Sequence, residues 1–261
     1  MGTVAKALEL LDLFTRTRPR IGLSELARLS GQNKATCYRL MAALQGYGLV
    51  EQTGQGREYR LGPAVLRLAA LREESVPMKD AAQPILDRLA ESTGETAHLS
   101  MMMGERLQLL NFAYSQRHGT RVTMADTDTL PFHATSSGIA VLALLPAELR
   151  DRVLAAPMVR LTPLTDTDPA SIRARLDRFR ADGVAESAGG FETDVHSLAV
   201  PVFDAAGDCA GAVAVAAPAA RMDDALRALI RAEVMRAGVD ITRIWGGSLP
   251  PELATLWRAA A

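Results

Sequence analysis

Apolar positions in the first sixty residues recur every three to four residues, then alternate, then stop at glycines. Val4, Ala7, Leu8, Leu11 and Phe14 form one stripe, which predicts a helix to about Arg16 with Thr3 as its cap. A polar break at 15–20 follows. Ser24 then caps a short helix that ends near Ser30, with Leu26 and Leu29 turned inward. Gly31-Gln32 is a turn, and Asn33 caps a third helix. Around that helix Cys37, Leu40, Met41 and Leu44 share the inner side. Ala35, Arg39, Ala42 and Gly46 lie opposite, flanked by Thr36, Tyr38 and Ala43. Gly48 suits a left-handed helix end. Two short runs, 49–53 and 58–61, flank the glycine-rich turn Gly54-Gln55-Gly56-Arg57 and predict a hairpin. The second and third helices form a helix-turn-helix, the unit that lays its second helix, here the third of the chain, in a DNA major groove, and the hairpin adds a wing, giving a winged helix-turn-helix.

The next segment, 64–74, reads as a helix with Val65, Leu66, Leu68, Ala69 and Leu71 on a broad apolar face. One chain has difficulty covering such a face, so it suggests a dimer contact. Ser75-Val76-Pro77 is the best boundary. Beyond it a helix at 78–93, bent at Pro84, precedes a hairpin at 96–102 and 107–113. Helices at 137–145 and 171–181 and a second hairpin at 197–203 and 210–216 follow. A long last helix starts at Asp223 or Asp224 and runs to about Trp245. Antiparallel hairpins mixed with helices give an α+β class. The division expected is 1–62 for the winged helix, 63–76 for a linker helix, 77–246 for a second domain and 247–261 for a tail.

Charge sharpens the first domain. The chain of 261 residues carries a net −1, but residues 1–72 hold 11 Lys and Arg against 5 Asp and Glu, and the remainder 18 against 25. A basic quarter on an acidic body points to a polyanion partner for that quarter alone. Small residues around Arg39 let a backbone approach a surface, and an arginine can fork onto guanine or a phosphate. The expected DNA contacts are Ser24, Lys34, Ala35, Thr36, Tyr38 and Arg39, with Arg57 and Arg60 reaching from the wing.

Apolar content of 48% supports a real core, and no apolar run is long and charge-free enough to span a bilayer. No secretory leader is read at the start, so a cytoplasmic location is expected. Cys37 and Cys209 match no metal or redox spacing and are expected as free thiols. His98, His118, His133 and His196 lie in no metal-ligand pattern, and no nucleotide or hydrolase fingerprint occurs. No catalytic residue, metal or cofactor is expected. His133 near Ser136 and Ser137 leaves a small-molecule enzyme with an appended helical domain as the alternative. An architectural DNA binder without a ligand is a third class.

The chain resembles the IclR family of bacterial transcriptional regulators. The resemblance is carried by "VAKALELL" from Val4, "LSELARLSGQNKATCYRLMAALQGYGLV" from Leu23, "YRLG" from Tyr59, "HATSSGIAVLALL" from His133, "GVAES" from Gly183 and "LAVPVFDAAGDCAGAVAV" from Leu198. It implies a GAF-like effector-binding domain behind the DNA-binding domain. It also implies homodimers or homotetramers on palindromic operators, and a small-molecule effector, expected to be a carboxylic or aromatic acid. The chain departs from the family at Gly138-Ile139, where Gly-Lys is frequent, and at Ser136, where alanine is usual. Its segment 245–261 is not a family feature.

For the effector the loop at Thr135-Ser136-Ser137-Gly138 has two readings, a backbone and hydroxyl cradle for a carboxylate or a plain helix cap. The resemblance sets this loop at the effector site. Of the strand methionines 101–103, Met101 is carried as a pocket candidate against ordinary core filling. Ser197 and His196 must point to opposite faces, and Ser197 is expected inward. Glu192 or Asp194 is the acidic partner, and Arg121 a candidate cation.

Overall fold

The computed structural model describes residues 2–15, 18–53, 57–75, 77–124 and 127–259. The wing turn at 54–56, part of the break at 16–17 and Val76 of the boundary therefore lie outside the described residues. The chain divides into two compact units, Met1–Pro77 and Met78–Ala261.

In the first unit α1 (Thr3–Leu11), α2 (Leu23–Ser30) and α3 (Lys34–Gly46) pack around Leu10, Leu26, Cys37, Leu40, Met41 and Leu44. Asn33 caps α3 by accepting the Thr36 N–H at 2.8 Å. The other two caps differ from expectation. Gly2 and Gly22 hold those positions without a side-chain bond, so Ser24 is an exposed first-turn residue of α2. The phase of α1 also differs. Leu10 is fully buried, while Val4 and Leu8 are 73% and 52% exposed. Two apolar stripes overlap on this helix, and the core takes the one through Ala7, Leu10 and Leu11. The helix stops at Leu11, and Phe14 packs from the following loop.

The wing is β1 (Val50–Thr53) paired antiparallel with β2 (Glu58–Leu61). Ile21 adds a third rung, exchanging two 2.9 Å backbone bonds with Tyr59. Gly48 has φ +69, and a Cβ on Gly62 would stand 2.3 Å from the Gly48 carbonyl, so the wing closes backbone to backbone. α4 (Pro63–Ser75) follows with Leu66, Leu68 and Leu71 exposed.

The second unit is built on a five-stranded antiparallel sheet in the order β4 (Arg106–Tyr114), β3 (Thr96–Met103), β7 (Cys209–Pro218), β6 (Val195–Phe203), β5 (Ala185–Ala188). α5 (Met78–Thr93) and α9 (Asp224–Ile244) pack on each other and on the sheet. Gly238 of α9 lies so close to Val200 that a Cβ there would stand 2.7 Å from its Cγ2. α6 (Ser136–Leu142) meets β6 from the other side, through Ser136 and Ser197, and packs on α8 (Pro169–Asp182). The core runs through both faces. α7 (Ala147–Ala155) and the edge strand β5 were not expected from periodicity. The segment read as a tail contains α10 (Pro251–Ala259), with Leu253 and Trp257 buried in the same core. Among the described residues no helix is long and apolar enough to cross a membrane. Both cysteines are free, and burial pushes the Cys209 thiol up to about 12.

Candidate functional site

The outward face of α3 is as its sequence predicts. Lys34, Ala35, Tyr38, Arg39 and Ala42 are exposed and Thr36 is half-buried, while the opposite side is sealed into the core. Arg39 thus stands on a rigid helix among small side chains. The wing is less open. Arg57 is exposed with φ +48, and its carbonyl accepts from the Gln52 amide at 3.1 Å. Arg60, expected as a phosphate contact, is paired with Glu51, its Nε donating to Oε1 at 2.6 Å. An exposed pair of this kind contributes little and exchanges readily for a phosphate.

In the second unit β3, β6 and the start of α6 surround a narrow cleft of ≈ 40 Å³. Val122, Met124, Leu130 and Phe191 supply apolar wall, and His98, Thr135, Ser136, Ser187, Glu192 and Ser197 bring polar atoms. Strand alternation explains the selection. Ser197 pairs with Ser187 and Ala216, so the three share one face, and His196 points to the other.

The hydrogen bonds show what is left for a ligand. Thr135 Oγ1 donates to the Pro131 carbonyl at 3.0 Å and accepts the Gly138 N–H at 2.9 Å, so it caps α6 and is spent. Ser187 donates to the Ala134 carbonyl at 2.7 Å. Ser136 donates to Ser197 Oγ at 2.8 Å, which leaves the Ser197 proton to point elsewhere. His98 meets Ser137 Oγ through Nε2 at 3.3 Å, and its buried Nδ1 has no partner among the described residues. Burial lowers the His98 pKa to about 4, so the ring is neutral near pH 7.

Four expectations are corrected. Met101 does not line the cleft: it shares a face with Leu99, whose side chain is in the main core. The bulge beside this register lies in β4, and alternation along β3 is unbroken. Gly138 does not offer its N–H, and its missing Cβ has a packing reason. A Cβ there would stand 2.5 Å from both Phe132 Cα and the Pro131 carbonyl. Ser137 is fully buried behind the cleft and reaches it only through His98. Arg121 lies over the Tyr114 ring at 4.3 Å and does not line the cleft. Of the expected set, Ser136, Glu192 and Ser197 are brought together. Thr135, read as part of the candidate loop, also lines the cleft, while His98, Ser187 and Phe191 carry no expectation from the sequence. For His98 the signal was present, a histidine alternating with apolar residues in a strand, but period two does not say which face is hollow.

His133 does not meet the serines beside it; its Nε2 lies 3.0 Å from the Val159 carbonyl. The neutral state of His98 has a pH signature. The unfolded chain protonates this histidine near pH 6.5 and the folded chain only near 4, so stability falls as pH drops through that window. From pH 7 to pH 5 the loss from this group is expected to be about 2 kcal/mol. Urea unfolding of the wild type and His98→Gln at both pH values checks it. An equal pH dependence in the two proteins would remove His98 as the cause.

Residues 3–54 match the IclR helix-turn-helix domain, and residues 72–243 match the C-terminal domain of the bacterial transcriptional regulator IclR. The chain belongs to the IclR family. It is 29% identical over 253 residues to the HTH-type transcriptional regulator XynR of Escherichia coli, covering 94% of this chain and 97% of that one. The crystal structure of an IclR transcriptional regulator from Silicibacter sp. TM1040 superposes with a TM-score of 0.89 at 53% identity, covering 97% and 99% of the two chains. The fold also matches an IclR homologue from Microbacterium hydrocarbonoxydans complexed with 4-hydroxybenzoate, with TM-score 0.55 and 24% identity over 93% and 100% of the chains. This IclR chain is a DNA-binding transcriptional regulator with an effector-binding domain. Its relatives are regulators and not enzymes.

Proposed function

We propose that this IclR regulator reads a palindromic operator with α3 and the wing, and that a small hydroxylated aromatic acid entering the narrow cleft beside Ser197 tunes that binding. The observation that carries the DNA reading is Arg39, exposed among small residues on the face of α3 opposite its core side. Lys34, Ala35, Thr36 and Tyr38 extend the contact, with Ser24 on α2 and Arg57 and Arg60 on the wing reaching the backbone. Two copies of the unit in a homodimer, or two such dimers in a tetramer, would address half-sites about 34–36 Å apart. The exposed leucines of α4 offer a contact between copies. The regulator works in the cytoplasm, where its operator is.

The cleft suits an aromatic acid that carries a hydroxyl. Phe191 and Met124 offer apolar contact for a ring. No lysine or arginine lines the cleft among the described residues, so a carboxylate would be met by neutral donors, the Ser197 O–H and the His98 Nδ1–H tautomer. Glu192 repels a bare anion and accepts from a ligand hydroxyl. The 4-hydroxybenzoate of the Microbacterium homologue has this chemistry. Effector binding can bias operator affinity only through different affinities for two arrangements of the protein.

The test is one operator titration. Arg39→Ala is expected to weaken specific binding by about 1–3 kcal/mol, roughly fivefold to 150-fold, and non-specific binding far less. Adding 4-hydroxybenzoate is expected to shift the wild-type curve and leave the slope of non-specific binding alone. Unchanged operator affinity in Arg39→Ala removes the α3 reading, and an unshifted curve removes this acid class.

A further inference from the structure

At the β5 edge of the sheet a second cleft, of ≈ 360 Å³, opens between α8, β5 and the first turns of α9. It shares no lining residue with the effector cleft. Four guanidiniums meet in it, Arg175 and Arg178 from α8 and Arg227 and Arg231 from α9. Only two carboxylates, Asp182 and Glu186, line the same walls. The surplus is two positive charges before His196 is counted.

The hydrogen bonds aim these arginines, and of the four only Arg227 is paired with a carboxylate among the described residues. Arg175 donates to the backbone carbonyls of His133 at 2.8 Å and Glu186 at 3.3 Å. Arg231 donates to the carbonyl of Asp182 at 2.7 Å. Glu186 is shared between His196, whose Nε2 lies 2.5 Å from its Oε1, and Arg227 at 3.3 Å. Arg178 pairs with no carboxylate among the described residues. Burial pushes the Arg175 guanidinium below its ordinary value; Asp166 pulls it back in part, and Arg178 adds a smaller push downward. Gathering like charges in a half-enclosed site costs free energy that a bound anion would offset.

We propose that this cleft is a second ligand site, for a compact dianion such as a phosphomonoester, and that its occupancy is coupled to the effector cleft. Guanidinium forks match phosphate oxygens in pairs, and two helices offering two arginines each can hold a dianion from both sides. The coupling is built into the local chain. Arg175 holds the carbonyl of His133, and Ser187 holds that of Ala134, immediately before Thr135 and Ser136 of the effector cleft. On β5 and β6 the pairs Glu186/Ser187 and His196/Ser197 send one side chain to each cleft. A ligand that redirects Arg175 therefore acts on the loop that forms the effector wall, and linkage makes the effect reciprocal. The proposal needs no particular effector in the first cleft.

The experiment is calorimetric titration of the full-length protein with inorganic phosphate and with phosphoglycolate, at constant ionic strength set by chloride. One saturable site per chain is expected, weakened at least about tenfold in the double variant Arg227→Gln/Arg231→Gln. Arg178→Gln is the second variant, because no carboxylate pair among the described residues depends on that side chain, and it too is expected to weaken binding severalfold. Equal affinity in the wild type and both variants, or no saturable binding of either probe, overturns the site. Hydrogen exchange supplies the coupling readout: phosphate is expected to slow exchange across 131–139 as well as 185–188. Saturable binding with unchanged exchange at 131–139 overturns the coupling.

Discussion

Trp257→Ala is expected to destabilise the unit Met78–Ala261 by about 3–5 kcal/mol, the range for deleting a large buried aromatic. Trp257 is only 5% exposed, and its Nε1 donates to the Gly183 carbonyl at 3.0 Å. Its ring lies against Gly238 of α9, where a Cβ would stand 3.2 Å from the indole. Truncation leaves a cavity bounded by α8, α9 and α10 and frees a buried carbonyl. Both glycines hold backbone against the ring, so little can move in to fill the space. Trp257→Phe keeps most of the volume and loses the hydrogen bond, and should cost clearly less. The chain's two tryptophans, Trp245 and Trp257, both lie in this unit, so in the variants Trp245 fluorescence during urea unfolding reports it. A loss below about 1 kcal/mol would mean that α10 is an appendage after all.

That helix also shows where sequence reading ends. Its outline, Leu253 and Trp257 one turn apart, is visible in the sequence. Its dock is not, because the partners are glycines, which leave no hydrophobic mark. α3 is the opposite case. It has a capping Asn33, one apolar stripe and a glycine-rich end, and all three signals agree on its length and its inner face. α1 carries two overlapping stripes, and only the packing of α2 and α3 chooses between them. The resemblance and the hairpin pattern together fix the α+β class and the antiparallel pairing of β6 with β7. Neither marks the four-residue edge strand β5, too short to show alternation.

The effector cleft was half legible for a related reason. Alternation puts Ser197 and His196 on opposite faces, and Ser197 does face the cleft. Alternation cannot say which face is hollow, so it gives no sign that Met101 lies on the filled face of its strand and His98 on the face that borders the cavity. The Thr135–Gly138 loop had two readings, and its hydrogen bonds are those of a cap. The charged cleft at β5 had no signature, because its four arginines come from two helices about fifty residues apart and each looks like an ordinary surface cation.

Removing Arg221 is expected to cost about 3–5 kcal/mol, the range for leaving one member of a buried ion pair alone. The Glu95 side chain is 1% exposed, and both its oxygens accept from Arg221, Oε1 from Nε and Oε2 from a terminal nitrogen, each at 2.7 Å. This bidentate clamp, first through its hydrogen bonds and then through the charge of Glu95, raises the Arg221 pKa. In Arg221→Met the carboxylate has no counter-charge and must be buried bare or protonated. Glu95→Gln should cost less, since Arg221 stays partly in water. The order of the two variants in urea unfolding tests whether the cost is the orphaned carboxylate or the lost packing, and equal losses would point to packing. The same guanidinium also donates to the Thr120 carbonyl at 3.0 Å, which ties down the segment carrying Val122 and Met124, two walls of the effector cleft. Arg221→Met should therefore weaken binding of an aromatic acid even at low temperature, where the protein is still folded, whereas Trp257→Ala, at the far side of α9, should leave that affinity unchanged under the same conditions.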